Sequence, residues 1–155
     1  MSDGNAKNGF TGREDVLGQP YLHRSFPRRV DALDAIFAFV GEFLGAANVD
    51  RSAAFDIEFI VEEIFTNMVR HNAAGTADIV VELEKLDEQV RIRLHDAGGE
   101  PFDPRQVPEV DTSAPLAERR VGGLGVHLVR KLAASLSYEY RDGTSIVTVV
   151  KRLEG

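Results

Sequence analysis

Residues Ile57–Asp96 read IEFIVEEIFTNMVRHNAAGTADIVVELEKLDEQVRIRLHD, and a change of period inside this stretch decides the fold. Ile57, Val61, Ile64, Phe65 and Met68 recur at helical spacing and make one apolar stripe. They predict a helix from about Ser52 to Ala73, with Asp50 or Ser52 as its cap and Gly75 as its stop. Beyond Gly75 the period falls to two. Ala77–Leu86 and Gln89–His95 predict paired strands joined by a tight Asp87-Glu88 turn.

Upstream, Tyr21–Phe26 predicts a first strand, closed by Pro27. Leu33, Ile36, Phe37, Val40, Phe43 and Leu44 predict a helix over Asp31–Leu44, ended by Gly45. Residues 1–20 are rich in small and polar types and read as a flexible tail, leaving 21–155 as one domain. Downstream, Ala97–Gly123 loses its period and carries Pro101, Pro104, Pro108 and Pro115. A helix over Leu124–Ala134 follows, then a strand over Leu136–Tyr140, an Arg141-Asp142-Gly143 turn and a last strand over Thr144–Leu153. The order strand, helix, helix, hairpin, long loop, helix, hairpin predicts an α+β two-layer sandwich. Its sheet is mixed and largely antiparallel, with the helices on one face.

The 155 residues fit one domain, and a 43% hydrophobic content supplies its core. Lys and Arg number 18 against 25 Asp and Glu, a formal charge of −7, which argues against a broad basic nucleic-acid-binding face. With no cysteine, disulfides, thiolate metal sites and cysteine nucleophiles are excluded. The N-terminus shows no secretory signal, and no apolar run approaches the ~20 residues of a membrane span. These features predict a cytoplasmic protein without direct nucleic-acid or membrane contacts.

Three constellations carry chemistry. Glu63, Asn67 and His71 are spaced by four along one side of a helix. That spacing serves a solvated face equally well as a hard-metal ligand beside a proton acceptor. Asp96-Ala97-Gly98-Gly99 ends a strand, where a carboxylate can accept from an exocyclic amine or simply mark a glycine turn. Gly122-Gly123-Leu124-Gly125 opens a helix, a geometry that presents backbone N–H groups to phosphate. A dinucleotide fingerprint fails there, because no strand precedes the glycines and Leu128 stands at its sixth position. No P-loop and no serine-hydrolase elbow occur. His23, His71, His95 and His127 show no zinc-site pairing. Arg28-Arg29 reads as a solvated basic pair, and so does Arg119-Arg120, although the second lies near the glycines and could reach a phosphate.

In this order the three motifs resemble the N box, G1 box and G2 box of the gyrase/chaperone/histidine-kinase ATPase superfamily. Asp142-Gly143-Thr144 resembles its last Gly-Thr element. Within it the chain is most similar to the anti-sigma-factor serine/threonine kinases, through Pro101-Phe102-Asp103, the short loop between the G boxes and the absence of histidine-bearing dimerisation helices.

The resemblance implies ATP and Mg2+ as cofactors, with Asn67 on the Mg2+ and Glu63 as general base toward a partner's Ser or Thr. It implies that Asp96 accepts from the adenine amine and that Gly98 admits the base. Gly122, Gly123, Leu124 and Gly125 would hold phosphate. Thr144 would support Asp96, directly or through water, at the adenine end, and 102–121 would form an ATP lid. It implies a sigma factor and a small antagonist protein as partners, and a homodimer with its interface within Tyr21–Gly45. Glu100 stands where the G1 box often has its second glycine, and Val121 where relatives can carry a basic lid residue. Two other functions stay open: a nucleotide-regulated binding module without phosphotransfer, and a histidine-kinase-type ATPase domain.

Overall fold

The computed structural model describes residues 10–14, 18–72, 74–99, 101, 103 and 123–153. The elements are β1 (Phe10–Glu14), β2 (Pro20–Phe26), a 3-10 turn (Val30–Ala32), α1 (Leu33–Ala47), α2 (Arg51–His71), β3 (Ile79–Leu86), β4 (Gln89–Ala97), α3 (Gly123–Leu132), β5 (Ser135–Arg141) and β6 (Thr144–Arg152). The strands form one six-stranded sheet in the order β1-β2-β3-β4-β6-β5. Every pairing among them is antiparallel, which narrows the mixed sheet expected from the sequence.

Period two in the strands puts Ile79, Val81 and Leu83 of β3, Val90, Ile92 and Leu94 of β4, and Val147 and Val149 of β6 on one buried face. Against that face α1 buries Ile36, Phe39, Val40 and Phe43, and α2 buries Ile57, Ile60, Val61, Ile64 and Met68. The Phe26 and Phe39 rings meet edge to face at 5.5 Å, joining β2 to α1. Each such large side chain contributes roughly 1.5–3 kcal/mol by leaving water. The sandwich with helices on one face is therefore present, and α3 lies beside α2.

Element ends follow local chemistry. Asp50 caps α2, its Oδ1 accepting from the Ala53 N–H at 2.8 Å. The first helix runs past the Gly45 stop expected for it. It ends at Asn48, whose left-handed φ of 56° asparagine tolerates well. Within the 1–20 segment expected to be a flexible tail, Phe10–Glu14 instead form β1. The free backbone edge of β2 gives them a ladder without any apolar alternation. Among the described residues no helix is long and apolar enough to cross a membrane.

Candidate functional site

The site is assembled where the second half of α2, the end of β4 and the start of α3 converge. Asn67 is buried, not solvated as its angular position allowed. Its Nδ2 donates to the Glu63 carbonyl at 2.6 Å. A carbonyl can only accept, so the amide's orientation is fixed and its oxygen points away as a hard, neutral donor. Among the described residues no cluster of three or more His, Asp or Glu side chains is placed to hold a metal. A divalent ion here would take one protein oxygen and complete its shell from phosphate and water, as Mg2+ commonly does.

One turn earlier, Glu63 is half-buried. Burial pushes its carboxyl pKa up, the neighbouring Glu62 charge adds to that, and Arg70 opposes it. A raised carboxyl is a stronger proton acceptor. The carboxylate lies against the start of α3: a Cβ on Gly125 would sit 1.7 Å from Glu63 Oε1. A side chain at 125 would have to displace the Glu63 carboxylate. The first turn of α3 leaves its backbone N–H groups without helical partners and carries the positive end of the helix. Glu63 and Gly125, 62 positions apart in sequence, are thus brought together.

Asp96 is 3% exposed at the end of β4. It does not stand alone. The Arg28 guanidinium is ion-paired through Nη2 to Asp96 Oδ1. Arg28 Nε donates to the Ala77 carbonyl at 3.1 Å, Nη1 to the Met68 carbonyl at 3.4 Å and Nη2 to the Ala97 carbonyl at 3.4 Å. The reading of Arg28 as half of a solvated pair is therefore corrected; only Arg29 is solvated, paired with Asp31. Burial of a charge demands a partner, and Asp96 is that partner. Beside them Asn72 Nδ2 is buried without a hydrogen-bond partner among the described residues, packed where a Cβ on Gly99 or Gly75 would stand.

The Gly98 N–H donates to the Gly143 carbonyl at 3.0 Å, joining the turn after β4 to the β5–β6 turn. Tyr140 Oη donates to the Gly99 carbonyl at 3.2 Å. Thr144 is placed away from Asp96. The register pairs Asp96 with Ser145 and Ala97 with Thr144, so Thr144 faces the opposite side of the sheet. There it lines a shallow cavity of about 430 Å³ with Tyr21, His23, Glu82 and His95. Ser145, 1% exposed, shares the face of Asp96. Leu124 contributes backbone to the first turn of α3, as does Gly123. Gly122, Glu100, Phe102, Arg119, Arg120, Val121 and nearly all of the expected lid lie outside the described residues.

A family model described as the histidine kinase-like ATPase domain matches residues 26–151. The chain belongs to that family. Among curated proteins, the chain is 29% identical over 107 residues to the serine-protein kinase RsbW of Listeria monocytogenes, covering 65% of this chain and 68% of the relative. It is 27% identical over 96 residues to the serine/threonine-protein kinase BtrW of Bordetella bronchiseptica, covering 61% and 68%. Among solved structures, the RsbU and RsbW domains of Rv1364c from Mycobacterium tuberculosis superpose with a TM-score of 0.60 at 22% identity. That match takes in 86% of this chain and 32% of the longer one. The SiaB–SiaC complex of Pseudomonas aeruginosa gives a TM-score of 0.53 at 14% identity over 97% and 95%. Both superpositions speak to the fold.

Does the site fit ATP and Mg2+? The glycine at 125, which leaves room beside a carboxylate, the free oxygen of Asn67 and the unpartnered amide of Asn72 are features such ligands use. Sequence reasoning missed Arg28, Asn72 and Ser145. For Asn72, its place one residue after the Glu63–Asn67–His71 series was the signal available.

Proposed function

We propose that this histidine kinase-like ATPase is a Mg-ATP-dependent protein serine/threonine kinase of the anti-sigma-factor type. It would phosphorylate a Ser or Thr of a small antagonist protein and so exchange partners with a sigma factor, in the cytoplasm. The observation that supports this best is the Glu63 carboxylate lying against Gly125 at the start of α3, with the Asn67 amide oxygen one turn on. Relatives named as serine and serine/threonine kinases support the kinase reading, and the SiaB–SiaC complex supports a protein partner.

When bound, Mg-ATP supplies the phosphoryl group and the positive charge that offsets its oxygens. Glu63 would take the proton from the partner's hydroxyl, whose oxygen would receive the γ-phosphoryl group while ADP leaves. Asn67 holds the metal through its oxygen. Asp96 accepts from the base amine, and the first turn of α3 donates backbone N–H groups to phosphate. Gly98 and Gly143 hold the base end together through their shared hydrogen bond.

Labelled ATP incubated with a candidate antagonist tests the reading. Acid-stable phosphate on the partner is expected. Glu63→Gln should lower transfer at least about a hundredfold while leaving ATP binding in place. Transfer that survives Glu63→Gln overturns the assigned base. Acid-labile phosphate points instead to the histidine-kinase type. ATP binding without transfer to any cognate partner leaves a nucleotide-regulated binding module.

A further inference from the structure

Arg28 stands out among the buried groups, because its guanidinium is held by four acceptors from three segments. Its guanidinium takes the Met68 carbonyl of α2, the Ala77 carbonyl before β3, the Ala97 carbonyl at the end of β4 and Asp96 Oδ1. Guanidinium and carboxylate commonly meet as a two-bond fork. Here only one carboxylate oxygen is engaged. Asp96 Oδ2 takes no hydrogen bond among the described residues. The Ala77 carbonyl at 3.1 Å, with the Met68 and Ala97 carbonyls at 3.4 Å, holds the guanidinium in the orientation that meets Oδ1.

We propose that Arg28 is the positioning residue of base recognition: it holds Asp96 by Oδ1 and leaves Oδ2 to accept the exocyclic amine of a 6-aminopurine. The proposal rests on the nucleotide reading above and adds to it the origin of base selectivity. Arg28 also compensates the buried carboxylate before any ligand arrives. A carboxylate fixed in this way sets an acceptor toward the 6-position of the purine. A 6-oxo group there would bring acceptor against acceptor, which is costly in a dry site. Lysine keeps the charge but not the planar fork, so it restores the positioning only in part.

Mg-ATP and Mg-ITP differ at the 6-position by an amine against an oxo group and share the triphosphate. Calorimetric titration of both into wild type, Arg28→Met and Arg28→Lys separates base reading from phosphate binding. Wild type is expected to prefer ATP at least about tenfold. Arg28→Met should lose most of that ratio with the Kd for Mg-ITP little changed, and Arg28→Lys should keep part of it. If Arg28→Met weakens both nucleotides alike and the ratio persists, Arg28 only supports the fold and the proposal fails. If wild type binds both equally, the proposal fails while the nucleotide site stands. If wild type binds neither, the nucleotide reading itself falls. Should Arg28→Met not fold, the ratio in Arg28→Lys and Arg28→Gln decides in the same way.

Discussion

A methyl group at residue 125 would lie 1.7 Å from Glu63 Oε1 and 2.3 Å from Glu63 Cδ. Something must move, and the far end of Glu63 is the flexible party. Gly125→Ala is therefore expected to change stability by less than about 1 kcal/mol, measured by urea unfolding. It should lower phosphotransfer at least about tenfold by displacing the base. Unchanged transfer would show that the place of Glu63 against Gly125 has no part in the chemistry. Glu63, Asn67, Asp96 and the glycines could be singled out because each lies in a short motif and the motifs follow one another in a family's order; spacing alone left a solvated face and a glycine turn open. Arg28 was not. Its partner is 68 positions away, and Arg29 beside it really is solvated, so local composition gave the pair one character. Thr144 failed by parity. In Thr144–Val150 both alternating faces carry apolar residues, Ile146 and Val150 on one and Val147 and Val149 on the other, so the sequence cannot say whether Thr144 or Ser145 turns toward Asp96.

At the scale of elements, the hairpins are held by turn chemistry and by pairs across the strands. Asp142 and Gly143 both have positive φ, 55° and 78°, the conformation that matches the twist of a two-residue hairpin. A Cβ at Gly143 meets nothing within 4 Å, so Gly143→Ala isolates backbone strain. A loss of about 1 kcal/mol in urea unfolding is expected, and no loss would mean that the turn relaxes freely. On the helix-free face, Glu82 of β3 joins β2 and β4. It accepts from Tyr21 Oη at 2.5 Å and meets His95 Nε2 at 3.0 Å. The His95 bond, and after it the Tyr21 bond, outweigh burial and lower the Glu82 carboxyl to about 2. The folded state thus holds the proton less tightly than the unfolded chain. The resulting stability is complete above the ordinary carboxyl range near pH 4.5 and is lost as pH falls through about 2. The stability gap between wild type and Glu82→Gln should therefore be full above about pH 4.5 and close as pH falls to about 2. A gap independent of pH would show that the charge on Glu82 contributes nothing.

For the molecule as a whole, the fold was readable because the switch from period 3.6 to period two falls inside Ile57–Asp96 and fixes a helix packed on a hairpin. What the periodicity did not carry was β1, which gains its place from the backbone edge of β2 rather than from apolar side chains. The proposed nucleotide site draws on α2, β4, α3 and the β5–β6 turn, so its occupancy would couple to global unfolding and not to one element. A ligand that binds only the native state adds ~2.7 kcal/mol at a hundredfold excess over Kd. For a domain of this size that raises Tm by roughly 5–10 °C. The rise should need Mg2+, because a chain with a formal charge of −7 receives a polyanion poorly without a bridging cation. Asn67→Ala should remove at least about half of the Mg2+-dependent part, since its amide oxygen is the ligand proposed for the ion. An equal rise in chelator would place the stabilisation on the base and sugar alone. No rise at millimolar Mg-ATP would remove the nucleotide from the resting state of the protein and leave partner binding as the event that the fold serves.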